Sequence, residues 1–85
     1  MRANKPWRSA NRYKGASTDR VILWLDIYGD SFAVRDCWRD YDGRWTHLHN
    51  GKPAELQSDY VTHWAPADTE PPFGPQGQAM EWWNG

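Results

Sequence analysis

The amino-acid sequence predicts a mostly-β fold: one small antiparallel meander of about four strands, curled into an SH3-like sheet or barrel. The length of 85 residues fits a single domain. Seven Trp, four Tyr and two Phe supply the large side chains that so small a core requires. Short runs of strand-forming residues are separated by glycine-containing turn sequences. We therefore expect a β domain over residues 20–66, an irregular arm before it (1–19) and an irregular tail after it (67–85).

The first predicted strand, residues 21–28, carries the strongest signal. It reads Val-Ile-Leu-Trp-Leu-Asp-Ile-Tyr, in which nearly every residue is β-branched, aromatic or otherwise apolar. Side chains alternate between the two faces of a strand, so the odd-numbered residues of Val21–Ile27 share one face and the even-numbered residues of Ile22–Tyr28 share the other. Because both faces are apolar, we expect this strand to lie in the centre of the sheet.

Turn sequences divide the rest of the β domain into further strands. Dipeptides with Gly, Asp and Asn favour the tight turns of β-hairpins because they tolerate positive φ angles. The strands that they separate cover residues 31–40 and 44–49, and a last strand over 61–65 is ended by Pro66. We expect residues 52–59 to form a loop or a single helical turn. The predicted turns are Gly29-Asp30, Asp42-Gly43 and Asn50-Gly51.

The alternation also predicts which aromatic residues are buried. In residues 31–40 the apolar positions are Phe32, Val34 and Trp38, which fall on one face of an uninterrupted strand. We expect a tryptophan-rich core that contains Trp24, Trp38 and Trp64. Trp7 is expected to dock on this core from the arm.

Charge is distributed unevenly along the chain, although the net charge is only −1. Residues 1–20 contain six basic residues and one acidic residue, whereas residues 53–85 contain five acidic residues and no Lys or Arg. Such a gradient can mark a contact with nucleic acid or protein, or it can solubilise the fold and attract the two termini to each other. The basic residues are Arg2, Lys5, Arg8, Arg12, Lys14 and Arg20; the acidic ones are Glu55, Asp59, Asp68, Glu70 and Glu81.

Cysteine content and hydropathy predict the compartment. The chain has a lone cysteine, Cys37, so a disulfide within the chain is excluded. Its longest apolar run, Val21–Leu25, is five residues, far shorter than a signal-peptide core or a membrane span. We expect a protein of the reducing cytoplasm with no membrane association.

The end of the β domain carries a distinctive motif, Val-Thr-His-Trp-Ala-Pro at residues 61–66 with Glu-Pro-Pro at 70–72. Trp7, the strand at 21–23, Asp-Gly-Arg-Trp at 42–45 and Gly-Lys-Pro at 51–53 precede it in that order. Over residues 7–72 this pattern resembles a small phage and prophage family, the domain-of-unknown-function 551 family. The arm and the aromatic tail depart from the family pattern. The resemblance implies a phage origin and a compact β fold, and no known chemistry.

The reactive side chains do not form a catalytic pattern. His47 and His49 share one face of a strand, and His63, Cys37 or Asp36 could complete a zinc-like ligand set. Paired histidines on a strand are also common by chance, and His63 is better explained as a core histidine. Asp36 raises the pKa of the neighbouring thiol, so Cys37 is better explained as a small buried hydrophobic residue. We predict no enzyme activity, no bound metal and no cofactor.

Binding is therefore the expected function, with two candidate surfaces. The tail ends in a Trp-Trp pair, and Trp is the residue most enriched at binding hot spots. The arm adds basic residues. In the alternative interpretation of the tail, it folds back and caps the β domain. The residues predicted to bind a partner are Trp82, Trp83, Glu81, Glu70, Arg8 and Arg12.

The resemblance and the absence of a catalytic pattern together suggest the partner. Small phage accessory proteins often bind a host protein, and inhibitors of bacterial defence, including anti-CRISPR proteins, belong to that class; the step to this chain is analogy. We expect a bacterial host protein, met in the host cytoplasm, as the partner. Two alternatives stay open: nucleic-acid binding by the basic and aromatic arm, and self-association.

Overall fold

The computed structural model describes residues 6–83 and confirms the mostly-β prediction. Six strands form one antiparallel sheet, which is not closed into a barrel. Two single 3-10 turns, Ala10–Arg12 and Ser58–Tyr60, adjoin the first and the last strand. No helix within residues 6–83 has the length and apolarity needed to cross a membrane. The strands are β1 (Arg8–Ser9), β2 (Val21–Ile27), β3 (Asp30–Arg39), β4 (Trp45–His49), β5 (Lys52–Leu56) and β6 (Val61–Pro66).

The spatial order of the strands is β1-β6-β2-β3-β4-β5. β2 to β5 follow one another as a meander, whereas β6 returns across the sheet to pair with β2. The prediction of a loop or helical turn over 52–59 is wrong for residues 52–56. Asn50 and Gly51 both adopt positive φ angles, 53° and 77°, in a tight turn that pairs Lys52 with His49. Pro53 is compatible with this strand because β5 lies at the edge of the sheet.

β2 is the central strand, as predicted from the apolar character of both its faces. It pairs with β3 on one side and with β6 on the other. Its odd-numbered face, with Leu23 fully buried, packs in the main core beside Val34, Cys37 and Trp45. Its even-numbered face packs in a second cluster around Trp24, which is 2 % exposed. Both faces are covered: Trp7 and the tail pack on the even-numbered face, and Ala10 and Tyr13 of the arm pack on the odd-numbered face.

A β-bulge in β3 changes which tryptophan is buried. Val21 pairs with Cys37 but Leu23 pairs with Val34, so β3 contains one extra residue between these pairs. Asp36, within this interval, has a φ of 56°. An extra residue reverses the faces of every side chain beyond it. Cys37 therefore points into the core, and Trp38 is only half-buried.

Trp64 is also only half-buried, contrary to the predicted core. It lies on β6 opposite the two-residue β1, which is too short to cover it. The Tyr13 ring packs against it edge-on, with ring centroids 4.8 Å apart. The tryptophans that are fully buried are Trp24, as predicted, together with Trp7 and Trp45. Burial of tryptophan is therefore decided by strand neighbours rather than by alternation alone.

The arm and the tail both pack on the even-numbered face of β2. Trp7 is 5 % exposed and its ring meets that of Trp24 edge-on at 5.7 Å, so the predicted docking of Trp7 is confirmed. The Trp7 indole N–H donates a hydrogen bond to the carbonyl of Phe73 at 2.7 Å. Phe73 in turn forms an antiparallel bridge with Ala79. The described part of the arm is thus fastened to the tail across one face of the sheet.

Candidate functional site

A groove opens at the β1–β6 end of the sheet. Its volume is about 680 Å³. It is formed by the arm after β1, by the start of β2 and by the residues that follow β6. We call it the β1–β6 groove. Its lining residues are Arg8, Arg12, Tyr13, Lys14, Gly15, Asp19, Arg20, Val21, Trp64, Pro66, Ala67 and Asp68.

Strand register places an arginine over the tryptophan of the groove. Arg8 on β1 lies directly opposite Trp64 on β6. Its guanidinium carbon is 5.5 Å from the centroid of the Trp64 ring, a cation–π distance. The 3-10 turn that follows β1 brings Arg12 beside them. A second cavity of about 540 Å³ shares these three residues, so the Arg8–Arg12–Trp64 group borders two adjoining concavities.

Tyr13 packs among aromatic rings beneath this group. Its side chain is 7 % exposed and its ring meets those of Trp64 and Trp45 at 4.8 and 5.1 Å. The buried Tyr13 hydroxyl has no hydrogen-bond partner among the described residues. Burial, and then the charge of Asp19, raise the pKa of this phenol. A buried hydroxyl without a hydrogen-bond partner costs about 1–3 kcal/mol, which the packing of the aromatic rings around Tyr13 must offset.

The groove carries an excess of positive charge. Four cationic residues line it against two carboxylates, Asp19 and Asp68. Within residues 6–83, neither the Arg8 nor the Arg12 guanidinium has a hydrogen bond to a side chain or an ion pair. Clefts that concentrate one sign of charge attract ligands of the opposite sign. The groove is therefore suited to an anionic ligand with an apolar part.

The predicted tail residues lie elsewhere and contact the protein itself. The guanidinium of Arg35 on β3 stacks on the Trp82 ring, 3.6 Å from its centroid. The same guanidinium forms a two-bond ion pair with Glu70, which lowers the pKa of that carboxyl. The Glu81 carbonyl accepts a hydrogen bond from the backbone N–H of Ala33 at 2.7 Å. Trp82, Glu70 and Glu81 thus have partners within the fold.

Of the two tail tryptophans predicted to bind a partner, Trp83 is the more exposed. It remains 37 % exposed, and its backbone N–H donates to the carbonyl of Ala33 at 2.8 Å. Its ring contacts those of His47 and His49, with centroids 4.9 and 5.5 Å apart. Residues 81–83 therefore extend the sheet beside β3, which is the alternative outcome considered for the tail. The predicted tail residues 81–83 thus lie beside β3, whereas the predicted arm residues Arg8 and Arg12 line the β1–β6 groove.

The reactive side chains considered as metal ligands or nucleophiles are dispersed. No group of three or more His, Cys, Asp or Glu residues in the described range is arranged to hold a metal ion. Cys37 is fully buried, as expected of a small hydrophobic residue, and burial together with Asp36 raises the pKa of its thiol to about 12. Such a thiol is protonated and inaccessible at neutral pH. His63, half-buried, contacts the hydroxyl of Thr62 at 2.9 Å.

Sequence reasoning found Arg8 and Arg12 but missed the other parts of the groove. Trp64 was expected in the core, Tyr13 was considered only as an aromatic residue of the arm in the nucleic-acid alternative, and Arg20 and Asp68 were not singled out as site residues. A possible signal was the position of Tyr13 among basic residues, immediately before a flexible Gly-Ala-Ser-Thr stretch. The pairing of β1 with β6, which unites these residues, leaves no local mark in the sequence.

A scan against protein-family models, a search of curated proteins and a search of solved structures each found no match to this chain. The function is accordingly inferred from the groove and the tail.

Proposed function

We propose that this chain is a non-catalytic binding protein that holds a segment of a partner protein in the β1–β6 groove. One observation carries the proposal: Arg8 and Arg12, two exposed residues whose guanidiniums form no ion pair within residues 6–83, border a half-buried Trp64 that packs on Tyr13. Arg, Trp and Tyr are the residues most enriched at the energetic centres of protein interfaces. Here they lie together at a concave surface, and within the described residues the two guanidiniums form no ion pair.

The tail supplies a second contact surface in this proposal. Trp83 is partly exposed at the end of the added strand, next to the exposed His49. Trp82, Glu81 and Glu70 support that surface through their contacts with β3. A partner large enough to reach both the groove and the tail would contact Trp83 at the rim of its interface, where single residues contribute little energy.

The biological setting of the proposal is a bacterial host. We propose that the partner is a bacterial host protein, with a nucleic-acid-handling defence complex as the leading example and the host cytoplasm as the place. This part rests on the sequence resemblance of residues 7–72 to a phage family and on analogy with phage inhibitors. The groove residues lie within that range.

Nucleic-acid binding is the second candidate function. The four cations of the groove favour it, because phosphate contacts supply most of the affinity for nucleic acids. The arrangement of the aromatic rings favours protein instead. Guanidiniums already lie over two tryptophan rings at or near the groove: Arg8 lies over Trp64, and Arg20 lies over Trp38 at 4.3 Å. A base could stack on these rings only after displacing the arginine.

Site-specific photo-crosslinking in bacterial cells tests the proposal. A photoreactive amino acid at Asn11, which lines the second cavity, should capture a discrete protein. Replacing Arg8 and Arg12 by Glu should abolish this crosslink. The matched control carries the same probe at Tyr41, which is 91 % exposed and distant in sequence from the groove. Crosslinks that nuclease digestion removes, or that arise only at Tyr41, would contradict the proposal.

A further inference from the structure

The fold contains a three-part stack that shows how its arginines bind an anion. Trp82 forms the base, the Arg35 guanidinium lies 3.6 Å above the ring centroid, and the Glu70 carboxylate pairs with the edge of the guanidinium. Both terminal nitrogens of Arg35 take part, one to each carboxylate oxygen. We call this arrangement the Trp82–Arg35–Glu70 stack.

The geometry of a guanidinium explains why the three parts belong together. Its face interacts with the aromatic ring, while its N–H groups point outward in the plane as a fork. That fork matches the two oxygens of a carboxylate, and such charge-assisted pairs are roughly twice as strong as neutral hydrogen bonds. The ring thus holds the arginine in the orientation that a carboxylate requires.

The β1–β6 groove contains a wider-spaced pair of the same two residue types, without a carboxylate. Arg8 lies over Trp64 at 5.5 Å and, in the part of the chain that the structure describes, no carboxylate lies within 4.0 Å of its guanidinium. Arg20 over Trp38 repeats the motif at the other end of the groove, with one weak contact from its guanidinium to the Ser17 carbonyl at 3.4 Å.

We infer that the groove binds a carboxylate-bearing peptide, with a Glu or Asp side chain of the ligand completing the stack on Arg8 and Trp64. The inference rests on the proposed function and names the chemistry of the partner segment: acidic, with an apolar residue beside the carboxylate. Arg12 and Arg20 add further cationic contacts on either side. The Tyr13 ring packs against Trp64 beneath them.

A carboxylate fits the groove better than a phosphate does. The stack that the fold already contains is closed by a carboxylate. Asp19 and Asp68 also line the groove and repel a ligand of high charge density such as a polyphosphate backbone. An extended acidic peptide places single charges at intervals and can avoid both carboxylates.

Titration of the full ¹⁵N-labelled chain with short probes tests the inference by nuclear magnetic resonance. The probes are an end-blocked peptide containing Glu-Trp-Glu-Glu, the matched Gln-Trp-Gln-Gln peptide, and an oligothymidylate of equal charge. We expect the acidic peptide to shift the Trp64 indole N–H and the Arg8 Nε–H, and to bind about tenfold more tightly than its amide counterpart.

The Arg8→Lys variant separates geometry from charge. Lysine keeps the positive charge but lacks the planar fork, so acidic-peptide affinity should fall about fivefold or more. Arg44→Lys is the matched control, because Arg44 is exposed and lies outside the groove, and it should bind like the parent. Thermal melting of both variants checks that the fold is retained. Unchanged affinity in Arg8→Lys would overturn the inference.

The remaining outcomes are equally decisive. Equal affinity for the Glu and Gln peptides, or tighter binding of the oligothymidylate, would overturn the carboxylate assignment. Concentration-dependent self-association that Arg8→Lys abolishes would overturn it in favour of a second copy of this chain. If the acidic peptide fails to bind while the Asn11 crosslink persists, the groove binds protein by other chemistry. If the peptide binds while the crosslink is absent, the carboxylate site stands and the proposed cellular function fails.

Discussion

The α-carbon of Gly15 lies against the ring of Tyr13. A β-carbon built at Gly15 would lie 2.0 Å from the Tyr13 hydroxyl oxygen and 2.4 Å from the carbon that bears it. The ring cannot easily retreat, because Trp45 and Trp64 pack against it. Glycine at position 15 therefore allows the chain to turn closely over the tyrosine, and this close approach shapes one wall of the β1–β6 groove.

Gly15→Ala is expected to destabilise the protein by about 1–3 kcal/mol, the usual cost of adding a methyl group to a packed site. Urea denaturation monitored by tryptophan fluorescence measures the change. Ser17→Ala, an exposed position in the same loop, is the control and should stay within about 0.5 kcal/mol of the parent. Equal stability of the two variants would show that the loop does not pack on Tyr13 in solution.

Truncation of Trp24 is expected to cost about 3–5 kcal/mol, because this side chain is 2 % exposed and fills the centre of the second cluster. Trp64→Ala should cost less, since one side of Trp64 faces the groove. Thermal or chemical unfolding of the two variants measures which substitution costs more stability. Tyr41→Ala, at a 91 % exposed position, should leave stability unchanged. A larger loss of stability in Trp64→Ala than in Trp24→Ala would contradict the placement of Trp64 at an open groove.

The contacts of the two tail tryptophans with the sheet predict that their truncation changes the stability of the isolated protein. Trp82 packs on the second cluster beneath Arg35, so Trp82→Ala should lower the free energy of unfolding by about 2 kcal/mol. Trp83 is more exposed, and Trp83→Ala should cost less than about 1 kcal/mol. Equilibrium unfolding of the isolated protein distinguishes the two. If both variants unfold like the parent, the tail does not cover the sheet in the absence of a partner.

Acidification is expected to weaken the fold through two histidines. Burial, and then the neighbouring His49, lower the pKa of His47 below its ordinary value of 6.5, and burial lowers the pKa of His63. The unfolded chain therefore binds protons that the folded chain refuses. Stability is complete above pH 6.5 and falls as the pH drops below that value.

Melting temperatures between about pH 7 and about pH 5 measure this loss of stability. This pH interval lies above the range in which most carboxylates titrate. In His47→Gln the decline should be shallower than in the parent, whatever the stability of the variant at neutral pH. The exposed His49 provides the comparison: His49→Gln removes a repulsive neighbour and should reduce the decline less. A slope that is identical in His47→Gln and the parent would exclude His47 as a source of the pH dependence.

Much of the fold could be predicted from local sequence. The run at 21–28 identified β2 and its central position because two apolar faces require neighbours on both sides. Asn50-Gly51 marked a turn because both residues can adopt positive φ, as they do. The edge strand Lys52–Leu56 was missed because Pro53 and the polar composition conceal a strand that has only one neighbour.

Of the candidate site, the sequence by itself determined its chemical ingredients: the basic arm with Arg8 and Arg12, and a surplus of tryptophan. Only the tertiary structure decided how they combine. The pairing of β1 with β6 joins residues more than fifty positions apart and places Arg8 over Trp64. One bulge at Asp36 turns Trp38 away from the core. Alternation within a strand is a local property, whereas pairing and register depend on contacts between distant segments, and those contacts form the groove.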